Sequence, residues 1–176
     1  MRIFVLVCIF LLAGCGYKPL SYYAKTAFGK SVYVEIKNRS DFPQAGVNLK
    51  DRLNRVVLAR LHLELASKEK AESILEAEIT GLDFEMISQD AQGFANYYRA
   101  NVKVAFSYKV LDGERYQVVL ESSSDYASNE SLNSIMIEEN QMNAIDTALK
   151  NIVDQFVSRI FYQGTLHQRN NAANAQ

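Results

Sequence analysis

Tyr97-Tyr98-Arg99-Ala100-Asn101-Val102-Lys103-Val104-Ala105-Phe106-Ser107-Tyr108-Lys109-Val110 is the stretch on which the fold turns. Tyr98, Ala100, Val102, Val104, Phe106, Tyr108 and Val110 alternate with Tyr97, Arg99, Asn101, Lys103, Ala105, Ser107 and Lys109. A period of two over this length predicts a half-buried strand. Asp112-Gly113 follows at once and is a strong hairpin signal, so Tyr116 to Tyr126 is read as an antiparallel partner with Val118 and Leu120 buried. On the N-terminal side, the polar turn Asp90 to Asn96, built on Gln92-Gly93, leads back to a strand over Ser73 to Ser88. Its apolar set shifts phase, from Leu75, Ala77 and Ile79 to Leu82, Phe84 and Met86. A one-residue shift moves side chains to the other face, so a bulge is predicted near Gly81.

Further out, Ser31 to Lys37 alternates and reads as another strand, followed by a loop from Asn38 to Gly46. Asn48 is a candidate cap for a helix with Asp51 in its first turn. Leu49, Leu53, Val56, Val57, Arg60 and Leu61 follow helical spacing, and Leu58 and Leu63 widen the apolar face. Arg52, Arg55 and Arg60 form a basic flank. Ser128 or Asn129 is expected to cap a last helix with Glu130 in its first turn. Its stripe is Ile135, Met142, Ile145, Leu149, Ile152, Phe156 and Ile160, broadened by Val153 and Val157, with Gly164 as the stop. The element order is β-α-β-β-β-α. The predicted fold is α+β: a two-layer arrangement of two helices packed on one face of a four-stranded mixed sheet, leaving the other face polar.

The N-terminus reads as an address. Arg2 precedes an apolar run from Ile3 to Leu12, too short to span a bilayer of ~30 Å as a helix. Ala13 and Gly14 then stand before Cys15. Small side chains suit a peptidase cleft, and a thiol at the new N-terminus is an acylatable nucleophile, so Leu12-Ala13-Gly14-Cys15 resembles a bacterial lipobox. An ordinary secretory signal or an uncleaved anchor is the alternative. The expected organisation is a lipoprotein signal peptide over 1–14, an acylated N-terminal tether over 15–30, the α+β domain over 31–163 and a disordered tail over 164–176. Removal of the signal from the 176 residues leaves 162, enough for one core. Hydrophobic content of 48% fits a globular chain. The mature part carries 18 basic and 20 acidic residues, a balance that argues against a nucleic-acid partner. Cys8 leaves with the signal, so no internal disulfide remains for Cys15. A single acyl chain binds a membrane only marginally, so firm attachment needs two or more.

No group of residues has the spacing of a catalytic or metal site. His62 lies between Leu61 and Leu63, His167 is in the tail, and there is neither a nucleophile elbow nor a phosphate loop. His62 is read as a surface or boundary residue, Glu138-Glu139 as a solvated face, and the protein as not an enzyme. The polar face of the long strand has more to offer. Arg99, Lys103 and Lys109 share it with Tyr97 and Asn101. Three cations on a rigid pleat suit phosphorylated or acidic sugar groups. Cross-strand pairing with Glu76 and Glu78 is the alternative.

Taken together, Cys15-Gly16-Tyr17-Lys18-Pro19-Leu20, the element order, the Gln92-Gly93 turn before a Tyr-bearing strand, and Glu139-Asn140-Gln141 ahead of the last helix resemble the lipopolysaccharide-assembly lipoprotein family, LptE-like. The turn Asp90 to Gly93 departs from that pattern in carrying no cation. The resemblance implies an outer-membrane, periplasm-facing location, with an N-acyl diacylglyceryl group on Cys15 and no other cofactor. It implies a plug inside a large LptD-like β-barrel that exports lipopolysaccharide, with a part in that barrel's assembly. It also implies lipopolysaccharide contacts on basic residues of the sheet and helix sides, for which Arg99, Lys103 and Lys150 are the candidates from charge and geometry. The polar lumen of a barrel suits a domain with a polar sheet face. The rival readings are a pilotin-like periplasmic assembly factor and a small hydrolase.

Overall fold

The computed structural model describes residues 20–109, 115–129 and 132–173, with side chains described as far as residue 163. The signal peptide, Cys15 and the Asp112-Gly113 hairpin turn lie outside the described residues. The elements are helix α1 (Leu20–Phe28), strand β1 (Ser31–Asn38), helix α2 (Pro43–Ala59), strand β2 (Glu64–Leu65), strands β3 (Ser73–Gln89), β4 (Ala95–Lys109) and β5 (Arg115–Ala127), and helix α3 (Ser134–Ala173). The sheet runs β2-β1-β3-β4-β5. β1 is parallel to β2 and β3, and β3, β4 and β5 are antiparallel neighbours. The two-layer α+β expectation of two helices on four strands is therefore corrected, among the described residues, to three helices and a five-stranded mixed sheet.

Both additions escape a reading by period because they are short. α1 spans nine residues, and only Tyr23, Ala24 and Phe28 of it are buried. It falls within what was expected to be a tether. Gly29, at φ +76, ends it, and the Gly29 N–H donates to the Lys25 carbonyl at 2.9 Å. A left-handed glycine just past the last turn is the usual way to satisfy free helix carbonyls. β2 is a two-residue strand beside β1, held by Leu61 and Leu63, which are buried on either side of His62.

Two helix starts also move. α2 begins at Pro43, not at Asn48; proline suits the first turn because its missing N–H would lack a helical partner there. Ala45 and Gly46 are buried in that turn, and a Cβ on Gly46 would lie 3.2 Å from the Asn38 side chain, so glycine permits this close approach to β1. α3 begins at Ser134, capped by neither Ser128 nor Asn129. Asn133 does this, its Oδ1 accepting from the Met136 N–H at 2.8 Å. The expected stop at Gly164 is corrected as well: α3 runs on to Ala173, about 60 Å in all.

The core lies between the helices and one sheet face. Ala100, Val102, Val104, Phe106 and Tyr108 of β4 are buried there, as their alternation predicts. Phe106 stacks on Phe156 of α3 at 4.2 Å, and Phe28 of α1 reaches Tyr108 at 4.8 Å. Burial holds the Tyr108 hydroxyl well above its ordinary pKa. Ile135, expected in the α3 stripe, is 74% exposed, and full burial along α3 begins only at Ala144. Between the helices, Arg52 of α2 donates to Asp146 of α3, and Arg60 pairs with Asp154 two turns on. The bulge falls where predicted: the β3–β4 register slips between Ile79 and Gly81.

Candidate functional site

With α1, α2 and α3 on one side of the sheet, the other face has no covering layer among the described residues. β4 runs through it and carries Tyr97, Arg99, Asn101, Lys103 and Lys109 on the same side. The five sheet candidates are thus brought to one surface. Lys150 is not: it sits on α3, in the other layer, beside a small cleft that Arg52, Arg55 and Asp154 also line. Cys15 lies outside the described residues.

Most of the charge on this face is already engaged. Arg99 makes a two-pronged contact with Asp125 of β5, at 2.7 and 3.1 Å. That hydrogen-bonded pairing raises the Arg99 pKa and holds the Asp125 carboxyl below its usual range. Lys103 lies 3.3 Å from Glu121, also on β5. Asn101 donates to Asp83 of β3 at 3.0 Å. Glu76 of β3 gathers Ser107 at 3.0 Å, Arg115 at 3.2 Å and Lys37 at 4.0 Å, while Glu78 pairs with Arg39. Cross-strand pairing therefore prevails, but the partners of Arg99 and Lys103 are Asp125 and Glu121 rather than Glu76 and Glu78. The register explains this. Arg99 lies opposite Asp125 and Lys103 opposite Glu121, whereas Glu76 and Glu78 lie opposite Ser107 and Ala105. Lys109, opposite Arg115 at the end of β4, has no ion-pair partner among the described residues.

The bulge shapes the middle of this face. Thr80 and Gly81 together oppose Lys103, and the Thr80 hydroxyl donates to the Lys103 carbonyl at 3.4 Å. A shallow trough of about 570 Å³ opens there, floored by small side chains and rimmed by Asp83, Asn101, Lys103 and Glu121. Its chemistry is that of a polar docking surface with donors and acceptors in mixed order. Among the described residues no three His, Cys, Asp or Glu side chains group to hold a metal. His62 is exposed at the end of α2 with φ +54, and its Nδ1 lies 3.2 Å from the Arg60 carbonyl.

Exposed apolar side chains bracket the β3–β4 turn: Met86, Ile87, Phe94 and Tyr97 are all exposed, with Tyr97 on the open face and Met86, opposite Tyr98, on the other. Ile135 and Met136 in the first turns of α3 are exposed as well. The hairpin tip is ordered by Asp90, whose Oδ1 accepts from the Gln92 and Phe94 N–H groups, both at 2.9 Å. Phe94, an aromatic residue directly after a polar turn, was the visible signal.

Several solved structures share this fold. Rare lipoprotein B from Shewanella oneidensis matches with a TM-score of 0.51 at 12% identity, over 80% of this chain and 98% of that one. Lipoprotein B from Nitrosomonas europaea, solved in solution, gives 0.51 at 19% identity, over 86% and 96%. A protein of Xanthomonas campestris gives 0.57 at 9% identity, over 82% and 90%. At such identities the likeness is one of fold alone. No curated protein matches the chain in sequence. The family model described as LptE, lipopolysaccharide-assembly, matches residues 29–160, which is three-quarters of the chain and takes in every strand, α2 and most of α3, and the protein accordingly belongs to the LptE family.

Proposed function

We propose that this protein is an outer-membrane lipoprotein that plugs and helps assemble the β-barrel exporting lipopolysaccharide, an LptD-like partner, and assists delivery of lipopolysaccharide to the outer leaflet. Membership in a lipopolysaccharide-assembly family supports an outer-membrane, lipid-anchored protein in general terms, and a non-enzymatic one. The anchor is an N-acyl diacylglyceryl group on Cys15.

The observation that carries the specific reading is the uncovered sheet face with its charges paired inside the chain. A barrel lumen is polar. Burying an unpaired charge against such a wall is costly, whereas paired groups with satisfied hydrogen bonds enter with much less penalty. Arg99–Asp125, Lys103–Glu121 and Asn101–Asp83 present that kind of surface. Exposed Tyr97 on the open face and Phe94 at the hairpin tip add apolar contact area. Lys109 and Lys150, which have no ion-pair partner among the described residues, are the side chains to which an acidic or phosphorylated sugar group would bring charge compensation.

The test is affinity purification of the acylated full-length chain from envelope membranes, with depletion in parallel. The expected result is co-purification with the lipopolysaccharide-export barrel, and loss of lipopolysaccharide from the cell surface while the inner-membrane pool grows. Co-purification with a secretin ring and unchanged surface lipopolysaccharide would establish the pilotin-like reading instead.

A further inference from the structure

The end of the molecule nearest the anchor carries a second surface. Tyr23 of α1 is buried, packing edge-on against Phe161 of α3 at 5.0 Å and against Tyr22 at 5.7 Å. Around it Tyr22, Phe161 and Tyr162 are 44%, 42% and 56% exposed. Lys25, one turn after Tyr22 on α1, and Arg159, one turn before Tyr162 on α3, are exposed cations on the same two helices. α1 begins at Leu20, five residues beyond Cys15, so the chain between them reaches no further than about 18 Å.

The chain segments that form this edge carry no acid. All 20 acidic residues lie between Glu35 and Asp154. The mature segment before Glu35 has Lys18, Lys25 and Lys30 and no acid; the segment after Asp154 has Arg159 and Arg169 and no acid. Glu72, which lies beside Gly29 at the end of α1, is occupied as an acceptor for the Lys30 N–H at 2.8 Å.

We propose that the edge formed by Tyr22, Phe161 and Tyr162, with Lys25 and Arg159 on the same two helices, seats on a lipid headgroup layer containing acidic phospholipid and fixes the orientation of the domain on its anchor. Amphipathic aromatic rings partition to the headgroup level, and nearby cations add attraction to anionic lipid. A short tether holds this edge, and not the hairpin end, within reach of the bilayer. The proposal rests on acylation at Cys15.

The chain has no tryptophan, so a single introduced indole is a clean reporter. Phe161→Trp and, separately, Tyr162→Trp are made in the acylated full-length protein, with Phe94→Trp at the hairpin end as the comparison. Each is reconstituted in phosphatidylethanolamine vesicles with or without phosphatidylglycerol, and flotation confirms attachment. The expected result is blue-shifted emission at positions 161 and 162, quenched several-fold more by brominated lipid than at position 94. That difference should shrink when Lys25 and Arg159 are both changed to Glu. Flotation with equal quenching at all three positions would overturn the proposal and leave the anchor standing. Failure to float, with an unmodified Cys15 by mass spectrometry, would overturn both.

Discussion

The two ends of the sheet differ although they share a strand. In the half of β3 before the bulge, Leu75, Ala77 and Ile79 are at most 1% exposed beneath the helices. Past the bulge, Leu82 and Phe84 are half-buried, and Met86 is 45% exposed. The apolar character of the sequence hardly changes between the halves; the cover does. α1 and the later turns of α3 lie over the first half, whereas α3 only starts over the second. One end is therefore a closed core, and the other keeps apolar side chains at its surface. On the proposed function, stability and partner binding are divided along the strands, so substitutions at the two ends should have opposite signatures.

The largest effect is expected in the covered half. Phe106→Ala removes the ring stacked on Phe156 and should cost about 3–5 kcal/mol in denaturant unfolding. Phe94→Ser at the hairpin tip should fall within about 0.5 kcal/mol of the parent while weakening partner capture. Next comes Gly29→Ala. Its φ is +76, and a Cβ would meet the Glu72 carboxylate at 2.1 Å, so a loss of more than about 1 kcal/mol should appear as a lower Tm. A smaller effect is expected from the double-mutant cycle of Arg52 and Asp146. That pair ties α2 to α3 at partial exposure, and its coupling should be no more than about 1 kcal/mol.

The smallest effect lies on the open face and depends on pH. The hydrogen bond from Arg99 lowers the Asp125 pKa, so this pair contributes at neutral pH and its contribution is lost as pH falls through the depressed Asp125 value. Both side chains are well exposed, so added salt should weaken the coupling. A carboxyl NMR titration should place the Asp125 midpoint below that of an ordinary aspartate, and Arg99→Gln should bring it back up.

Much of this division was legible in the residues. The alternation over Tyr97 to Lys109, the phase change at Gly81 and the stripe from Ile145 to Ile160 each repeat often enough for the period to identify the element. α1 and β2 do not, at nine and two residues. The Phe28-Gly29 step was a readable stop for α1, and Pro43 a readable start for α2, but neither comes with a long stripe. At the candidate site, alternation placed Arg99, Asn101 and Lys103 on one face. Their partners depended on register, which period alone does not supply: one slip at Gly81 and the pairing of β4 with β5 decide that Asp125 and Glu121, not Glu76 and Glu78, take the cations. Lys150 stands in the opposite layer, as its position between Leu149 and Ile152 in the last helix implies.

In-cell photo-crosslinking tests the central claim most directly, with the reactive side chain placed in turn at Asn101 on the open face, Phe94 at the hairpin tip and Leu58 on the exposed side of α2. The account predicts adducts with the lipopolysaccharide-export barrel from Asn101 and Phe94. A barrel adduct from Leu58 alone, with Asn101 and Phe94 silent, would contradict it.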